Sequence, residues 1–209
     1  MNSAVSHWSP ENQARAESIL ELYPEKRSAM MPLLYIASLE HAHVSDDAMR
    51  EVAALTGVTP VQVESVASFY TMFKREPAGT YLISVCTSVA CYLRNADEVL
   101  EAVEGTAGVD SGGITHDGSI SVEHVECIGA CGGAPAVQVN YETVEGLTRE
   151  KAVALVNWLR DAKPPVVLAD EMQHLFGGQR SFDWGPKDPD GAIRPIPAFG
   201  PFGSARGDR

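Results

Sequence analysis

The chain has 209 residues, 44% of them apolar and 21% charged, and a formal net charge of −12. That length allows one or two domains with a real core, and the composition is that of a globular protein. Such a charge argues against a nucleic-acid reader, because phosphate binding needs a basic face. From residue 163 onward six basic residues balance six acidic ones, so the acidic excess lies in the first 162 residues. The longest apolar run, Met30 to Leu39, contains Pro32 and Ser38 and falls well short of the roughly 20 residues a membrane helix needs. Residues 1–8 have neither a basic start nor an apolar core. No secretory signal is therefore expected, and the expected compartment is the reducing cytosol.

The first third reads as helices. Ser9 caps and Pro10 opens a first helix that ends near Tyr23-Pro24. A second is predicted from Ser28 to His41, with Met30, Leu33, Leu34 and Ala37 on its buried side. Ser45, followed by Asp46 and Asp47 at the positive end, caps a third that Gly57 terminates. Thr59-Pro60-Val61-Gln62 is a capping box opening a fourth, along which Val63, Val66, Ala67 and Tyr70 recur at helical spacing. The third and fourth helices, joined by a short turn, have the outline of a helix-turn-helix. The acidic charge makes a small helical bundle the better reading. His41 and His43 are read as surface or capping residues.

After Pro77-Ala78-Gly79 the period changes to that of a strand, Tyr81 to Cys86, which delivers Cys86 at its end. Cys91 follows after a short loop. Asn95 with Glu98 predicts the start of an amphipathic helix carrying Ala96, Val99, Leu100 and Val103. Gly105 and the stretch from Gly108 to Gly113 read as loop. Ile120, Val122 and Val125 mark a second strand delivering Cys127, Ala136 to Tyr141 a third, and Thr148 caps a last helix carrying Ala152, Val153, Val156 and Leu159. The order strand, helix, strand, strand, helix is that of a trimmed thioredoxin fold, with a parallel pair followed by a hairpin. Pro135 falls where that fold places a cis-proline.

Cys86, Cys91, Cys127 and Cys131 are the only cysteines and form two close pairs, C-x4-C and C-x3-C. Four soft thiolates in two pairs suit a metal centre gripped from two sides. Both pairs fall at or just after strand ends, which parallel strands bring to one edge of a sheet. Gly129, Gly132 and Gly133 are expected to let backbone N–H groups approach sulfur. A [2Fe-2S] cluster with four thiolates carries roughly two negative charges, and roughly three when reduced. No lysine lies between Cys127 and Pro135, so backbone dipoles are expected to carry much of that stabilisation. Structural zinc also takes four cysteines, although its usual loops are C-x2-C. A dithiol oxidoreductase needs a C-x-x-C at a helix start, and the chain has none. A Rieske centre would use two histidines, and His116 and His124 read as bystanders. Spacing thus favours an iron–sulfur cluster and leaves zinc open.

The flanking residues carry a resemblance. Val66-Ala-Ser-Phe-Tyr-Thr-Met-Phe73, Pro77-x-Gly79-x-Tyr81, the C-x4-C pair, Glu126-Cys-Ile-Gly-Ala-Cys131 through Ala134-Pro135, and Val139-Asn140 resemble the E-type subunit family of respiratory complex I. That family is the thioredoxin-like [2Fe-2S] component of NADH–quinone oxidoreductase, and the resemblance spans about residues 10 to 162. It implies that Cys86, Cys91, Cys127 and Cys131 ligate one [2Fe-2S] cluster serving electron transfer. It also implies that FMN and NADH sit on a tightly bound partner subunit. The complex would be attached to an inner or plasma membrane with this chain in its peripheral arm, without direct membrane insertion. The chain has no G-x-G-x-x-G after a strand, which agrees with an NADH site on the partner and no independent substrate site here. The small subunits of NAD-linked hydrogenases and formate dehydrogenases share these motifs and stand as an alternative. A non-redox scaffold with structural zinc is the alternative from another class.

The expected fold class is mixed α+β and α/β: a helical bundle over residues 1–76, a thioredoxin-like [2Fe-2S] ferredoxin domain over 77–162, and an extended Pro/Gly-rich tail over 163–209. Phe69, Tyr70 and Phe73 are expected to be core aromatics packing the bundle onto the strand domain. Arg94, three residues past Cys91, reads as a solvated arginine at a helix entry. The tail aromatics Phe176, Phe182, Trp184, Phe199 and Phe202 are expected to anchor an extended segment on neighbouring subunits.

Overall fold

The structure, a computed structural model, describes residues 8–181 together with Ala192, Arg194 and Pro195. Among these the chain divides into two compact units, one up to Pro77 and one from Ala78 to Pro195.

The first unit holds α1 (Pro10–Leu22), α2 (Met30–His41), α3 (Asp46–Thr56) and α4 (Pro60–Phe69). Their starts are the capped ones read in the sequence. Ser9 Oγ accepts from Asn12 N–H at 3.3 Å, Ser45 Oγ accepts from Ala48 N–H at 3.1 Å, and the Gln62 side chain accepts from Thr59 N–H at 3.0 Å. α2 departs from the amphipathic expectation, because every residue from Pro32 to Ser38 is buried. It is the central helix, packed against α1, α3 and α4, and a helix enclosed on all sides is apolar all round. Ser38 meets that environment by donating its hydroxyl to Leu34 O at 2.8 Å.

One expectation for this unit is corrected. Phe73 is core, 5.0 Å edge-on from Tyr35, but Phe69 is 76% exposed and Tyr70 37% exposed. Because α4 stops at Phe69, helical spacing does not carry on to Tyr70 and Phe73. His41, the last residue of α2, is partly exposed and has a partner. Its Nε2 lies 2.7 Å from the carboxylate of Glu51, which also accepts from Trp8 Nε1 at 2.6 Å.

In the second unit β1 (Tyr81–Cys86) is followed by α5 (Val89–Tyr92), α6 (Ala96–Ala107), β2 (Ile120–Val125), β3 (Ala136–Val139), β4 (Glu142–Glu145), α7 (Arg149–Ala162) and α8 (Ala169–Phe176). The four strands form one mixed sheet in the order β2-β1-β3-β4. β1 and β2 are parallel, β1 and β3 antiparallel, and β3 and β4 antiparallel. α6 and α7 pack together, and the core of Ile83, Val85, Val103, Ile120, Leu155 and Leu159 lies between helices and sheet. The Ala134–Pro135 peptide is cis, the geometry expected of Pro135 from the sequence.

The third predicted strand is in fact two. Asn140 and Tyr141 both adopt positive φ, 51° and 70°, and turn the chain so that Val139 faces Glu142. A two-residue hairpin needs left-handed residues at both positions. With no glycine here the turn leaves no mark in the sequence, and β4 goes unpredicted. Asn140 is buried and compensates by accepting from Leu82 N–H at 2.8 Å and donating to Thr80 O at 3.0 Å. Gly105 lies inside α6 rather than in a loop, and Gly108 ends that helix. Asn95 precedes α6 in a left-handed conformation without a side-chain capping bond.

The segment after residue 163 is not wholly extended. α8 folds back onto β4 and α7, its Met172 is fully buried, and the Phe176 ring packs on Trp158 with centroids 5.6 Å apart. Phe176 therefore fills this unit's own core. Phe182, Trp184, Phe199 and Phe202 lie outside the described residues.

Candidate metal centre

β1 reaches Cys86 as a strand buried along its whole length, which the near-continuous apolar run dictates. β2 lies parallel beside it with Cys86 opposite Val125. The pairing runs on past the strand ends, from Thr87 N–H to Val125 O at 2.9 Å and from Ser88 N–H to Glu126 O at 3.1 Å. That zipped end holds the start of each cysteine pair at one edge of the sheet. Cys91 comes next, after a short connection and within the short helix α5, where it is buried. The second pair straddles the turn after β2, and Cys131 opens a single 3-10 turn, Cys131–Gly133.

The structure sets the thiols as two neighbouring pairs. Cys86 and Cys91 are within hydrogen-bond reach of each other, and so are Cys127 and Cys131, while Cys131 is close enough to feel Cys86 electrostatically. None is in a disulfide. Cys86 and Cys91 are buried among Ala96, Ala130, Ala134 and Ala136, whereas Cys127 and Cys131 are exposed. The Cys86 thiol donates to Glu126 O at 3.1 Å, and Ala136 N–H donates to the Cys91 sulfur.

Burial pushes the Cys91 thiol up to about 11; the Ala136 N–H opposes this, and the neighbouring Cys86 and Cys131 add to it. Cys131 is raised chiefly by the charge of Cys127. Ligation needs the thiolate form, which here requires a compensating cation. The donor set therefore fits a soft, highly charged metal centre. Among the described residues no three Cys, His, Asp or Glu side chains converge on one point as ligands of a single ion do.

Gly133 departs from the expectation of a backbone N–H directed at sulfur. Gly133 N–H is taken by Ala130 O at 3.2 Å and Ser181 Oγ at 2.9 Å, and so is turned away from sulfur. Ala136 supplies the backbone N–H to sulfur instead, a contact with no mark in the sequence. His124 bonds Ser111 through its ring at 3.0 Å, His116 is exposed, and Arg94 is exposed. Beside Cys91, three large apolar side chains face solvent: Val89, Tyr92 and Leu93.

Comparison with known proteins bears on this centre. Residues 16–160 match the family described as thioredoxin-like [2Fe-2S] ferredoxin. An NADH-quinone oxidoreductase subunit of Mycobacterium bovis is 38% identical over 149 residues, 71% of this chain and 59% of the relative. The present chain thus spans about three fifths of the length of that relative. Subunit 2 of the Thermus thermophilus NADH-quinone oxidoreductase is 40% identical, covering 70% of this chain and 82% of the relative. An NADH-quinone oxidoreductase subunit of Rickettsia bellii is 36% identical over 77% of this chain and 99% of its own length. Among solved structures, an NAD+-reducing [NiFe]-hydrogenase in the H2-reduced state superimposes with a TM-score of 0.56 at 22% identity. That match covers 64% of this chain and 22% of the hydrogenase chain, and it shows a shared fold. The family match runs from within α1 to within α7 and takes in all four cysteines. On that span and on the relatives' identity, the chain belongs to the thioredoxin-like [2Fe-2S] ferredoxin family.

Proposed function

We propose that Cys86, Cys91, Cys127 and Cys131 hold one [2Fe-2S] cluster and that the chain is an electron-transfer subunit of the NADH-oxidising part of an NADH–quinone oxidoreductase. The single observation that carries this reading is the placement of the four cysteines, as two neighbouring pairs, at the end of the β1–β2 pair. Such a cluster exchanges one electron at a time with its neighbours. The chain's residues supply its place: β1 and α5 bury one pair of thiols, and the turn after β2 presents the other pair at the surface. The Ala136 N–H favours negative charge on Cys91, which suits a centre that becomes more negative on reduction.

FMN and NADH are assigned to a partner subunit, and no independent substrate site is assigned to this chain. The exposed Val89, Tyr92 and Leu93 beside Cys91 supply an apolar rim that a tightly bound partner would cover. No helix among the described residues is long and apolar enough to cross a membrane. A place on the cytoplasmic side, in the peripheral arm of a membrane-bound complex, is part of the proposal.

Iron and acid-labile sulfide analysis of the purified chain tests the centre, with about two of each per chain expected. A stoichiometric zinc content without sulfide would overturn it. Affinity purification from the native cell tests the assembly. Recovery of quinone-reductase subunits supports the assignment, and recovery of a hydrogenase or formate dehydrogenase large subunit in their place refutes it.

A further inference from the structure

The loop that carries Cys131 leans on a part of the chain beyond the last helix of the family match. After α8 the chain returns along β4 as a strap, residues 177–181. Gly178 N–H donates to Glu145 O at 2.8 Å, and Ser181 N–H donates to the Glu145 carboxylate at 2.7 Å. The Ser181 hydroxyl accepts from Gly133 N–H at 2.9 Å. Glu145 is only 1% exposed, so the strap is anchored on a buried carboxylate. Gln173 of α8 locks the same edge, accepting from Glu145 N–H at 2.8 Å and donating to Glu145 O at 3.1 Å and Gly178 O at 3.2 Å. Lys151 of α7 donates to Gly177 O.

The fit leaves no slack. A Cβ on Gly133 would meet Gln179 O at 2.6 Å, and one on Gly178 would meet Gly146 O at 2.7 Å. Gly133 shares the single 3-10 turn with Cys131, so whatever holds the Gly133 N–H also fixes where the Cys131 backbone sits. The exposed Cys131 thiol has no packing of its own to do this.

We propose that Ser181 is a positioning residue for Cys131, and that the strap following α8 tunes the stability and reduction potential of the cluster. The inference rests on the four-cysteine cluster proposed above. Released from Ser181, the turn loosens and more water reaches the cluster from the already exposed Cys131 side. The potential then rises, because water favours the more negative, reduced state. Iron is also lost faster, since one ligand is no longer pre-placed.

The test uses the full chain carrying its cluster. Ser181→Ala is expected to release iron to a chelator about five-fold faster, the effect of one hydrogen bond of ordinary net strength. Its reduced-state EPR signal should change shape and its potential should move upward. Ser181→Thr, which keeps the hydroxyl, restores both. Gly178→Ala pushes the strap off Gly146 without touching the turn and gives the same two changes. Wild-type release rate and potential in both Ser181→Ala and Gly178→Ala overturn the proposal. So does a lowered melting temperature with an unchanged potential, which would mark the strap as merely structural. Iron, sulfide and EPR signal of the wild-type chain test the cluster reading separately, and the variants are compared only with that signal.

Discussion

Replacing Met172 by alanine distinguishes a folded α8 from an extended tail. Met172 is fully buried in the core of the second unit, and Leu175 on the same helix is 48% exposed. Truncating a buried methionine removes its apolar contacts and leaves a cavity, at a cost of about 2–5 kcal/mol. Leu175→Ala truncates a side chain that is about half exposed and exchanges two good helix formers, so its effect should stay at about 1 kcal/mol or below. With a urea slope of about 2 kcal/mol per molar, a loss of about 3 kcal/mol lowers the unfolding midpoint by roughly 1.5 M. The assay is urea denaturation followed by circular dichroism. Hydrogen exchange at β4 and α7, which α8 contacts, shows whether the loss falls in this unit. Equal midpoints for Met172→Ala and Leu175→Ala would refute the reasoning, since both are silent in a segment lying outside the fold.

Three further outcomes are expected. Glu51→Ala leaves Trp8 Nε1–H and His41 without their shared acceptor and should destabilise the bundle by about 2 kcal/mol. In thermal unfolding, the Trp8→Phe/Glu51→Ala double variant should cost less than the sum of the singles, and strict additivity would argue against the bond. Asn140→Gly keeps the left-handed turn but removes the bonds to Leu82 and Thr80, costing about 2 kcal/mol. Asn140→Ala should cost about 1 kcal/mol more, and an alanine variant as stable as the glycine one in urea melts would contradict the turn geometry. Burial raises the Glu40 carboxyl, but bonds from Ser9 and Asn12 outweigh it and hold it below its usual 4.5. Its contribution is thus present above about pH 4.5 and lost as the pH falls through the depressed value. The difference in urea midpoint between wild type and Glu40→Gln should therefore shrink from pH 7 to pH 3, and a constant difference would refute the assignment.

Much of the fold is legible in the sequence because its signals are local. Ser9, Ser45, Thr59 and Thr148 cap helices through bonds within three residues of themselves, and β1 declares itself by an apolar run that only Ser84 interrupts. What stays hidden has physical reasons. The Asn140-Tyr141 hairpin lacks the glycine that marks such turns, and Asn140 is held in it by partners about sixty residues away. α8 begins at Leu168 with no side-chain cap and follows Pro164-Pro165, so only the spacing of Met172 and Phe176 betrays it. α2 is apolar on all sides because three other helices enclose it, a fact of packing rather than of period.

At the candidate centre the division is the same. Residue type and spacing alone named four soft donors in two pairs and put each pair near a strand end, because thiol chemistry and strand period are written residue by residue. Tertiary structure decided that one pair is buried and the other exposed, that Ala136 turns its N–H to the Cys91 sulfur, and that Gly133 answers to Ser181. Those facts depend on which segments the parallel β1–β2 pair, the hairpin and α8 bring into contact, and each is a bond between groups too far apart in the chain for any local pattern to record.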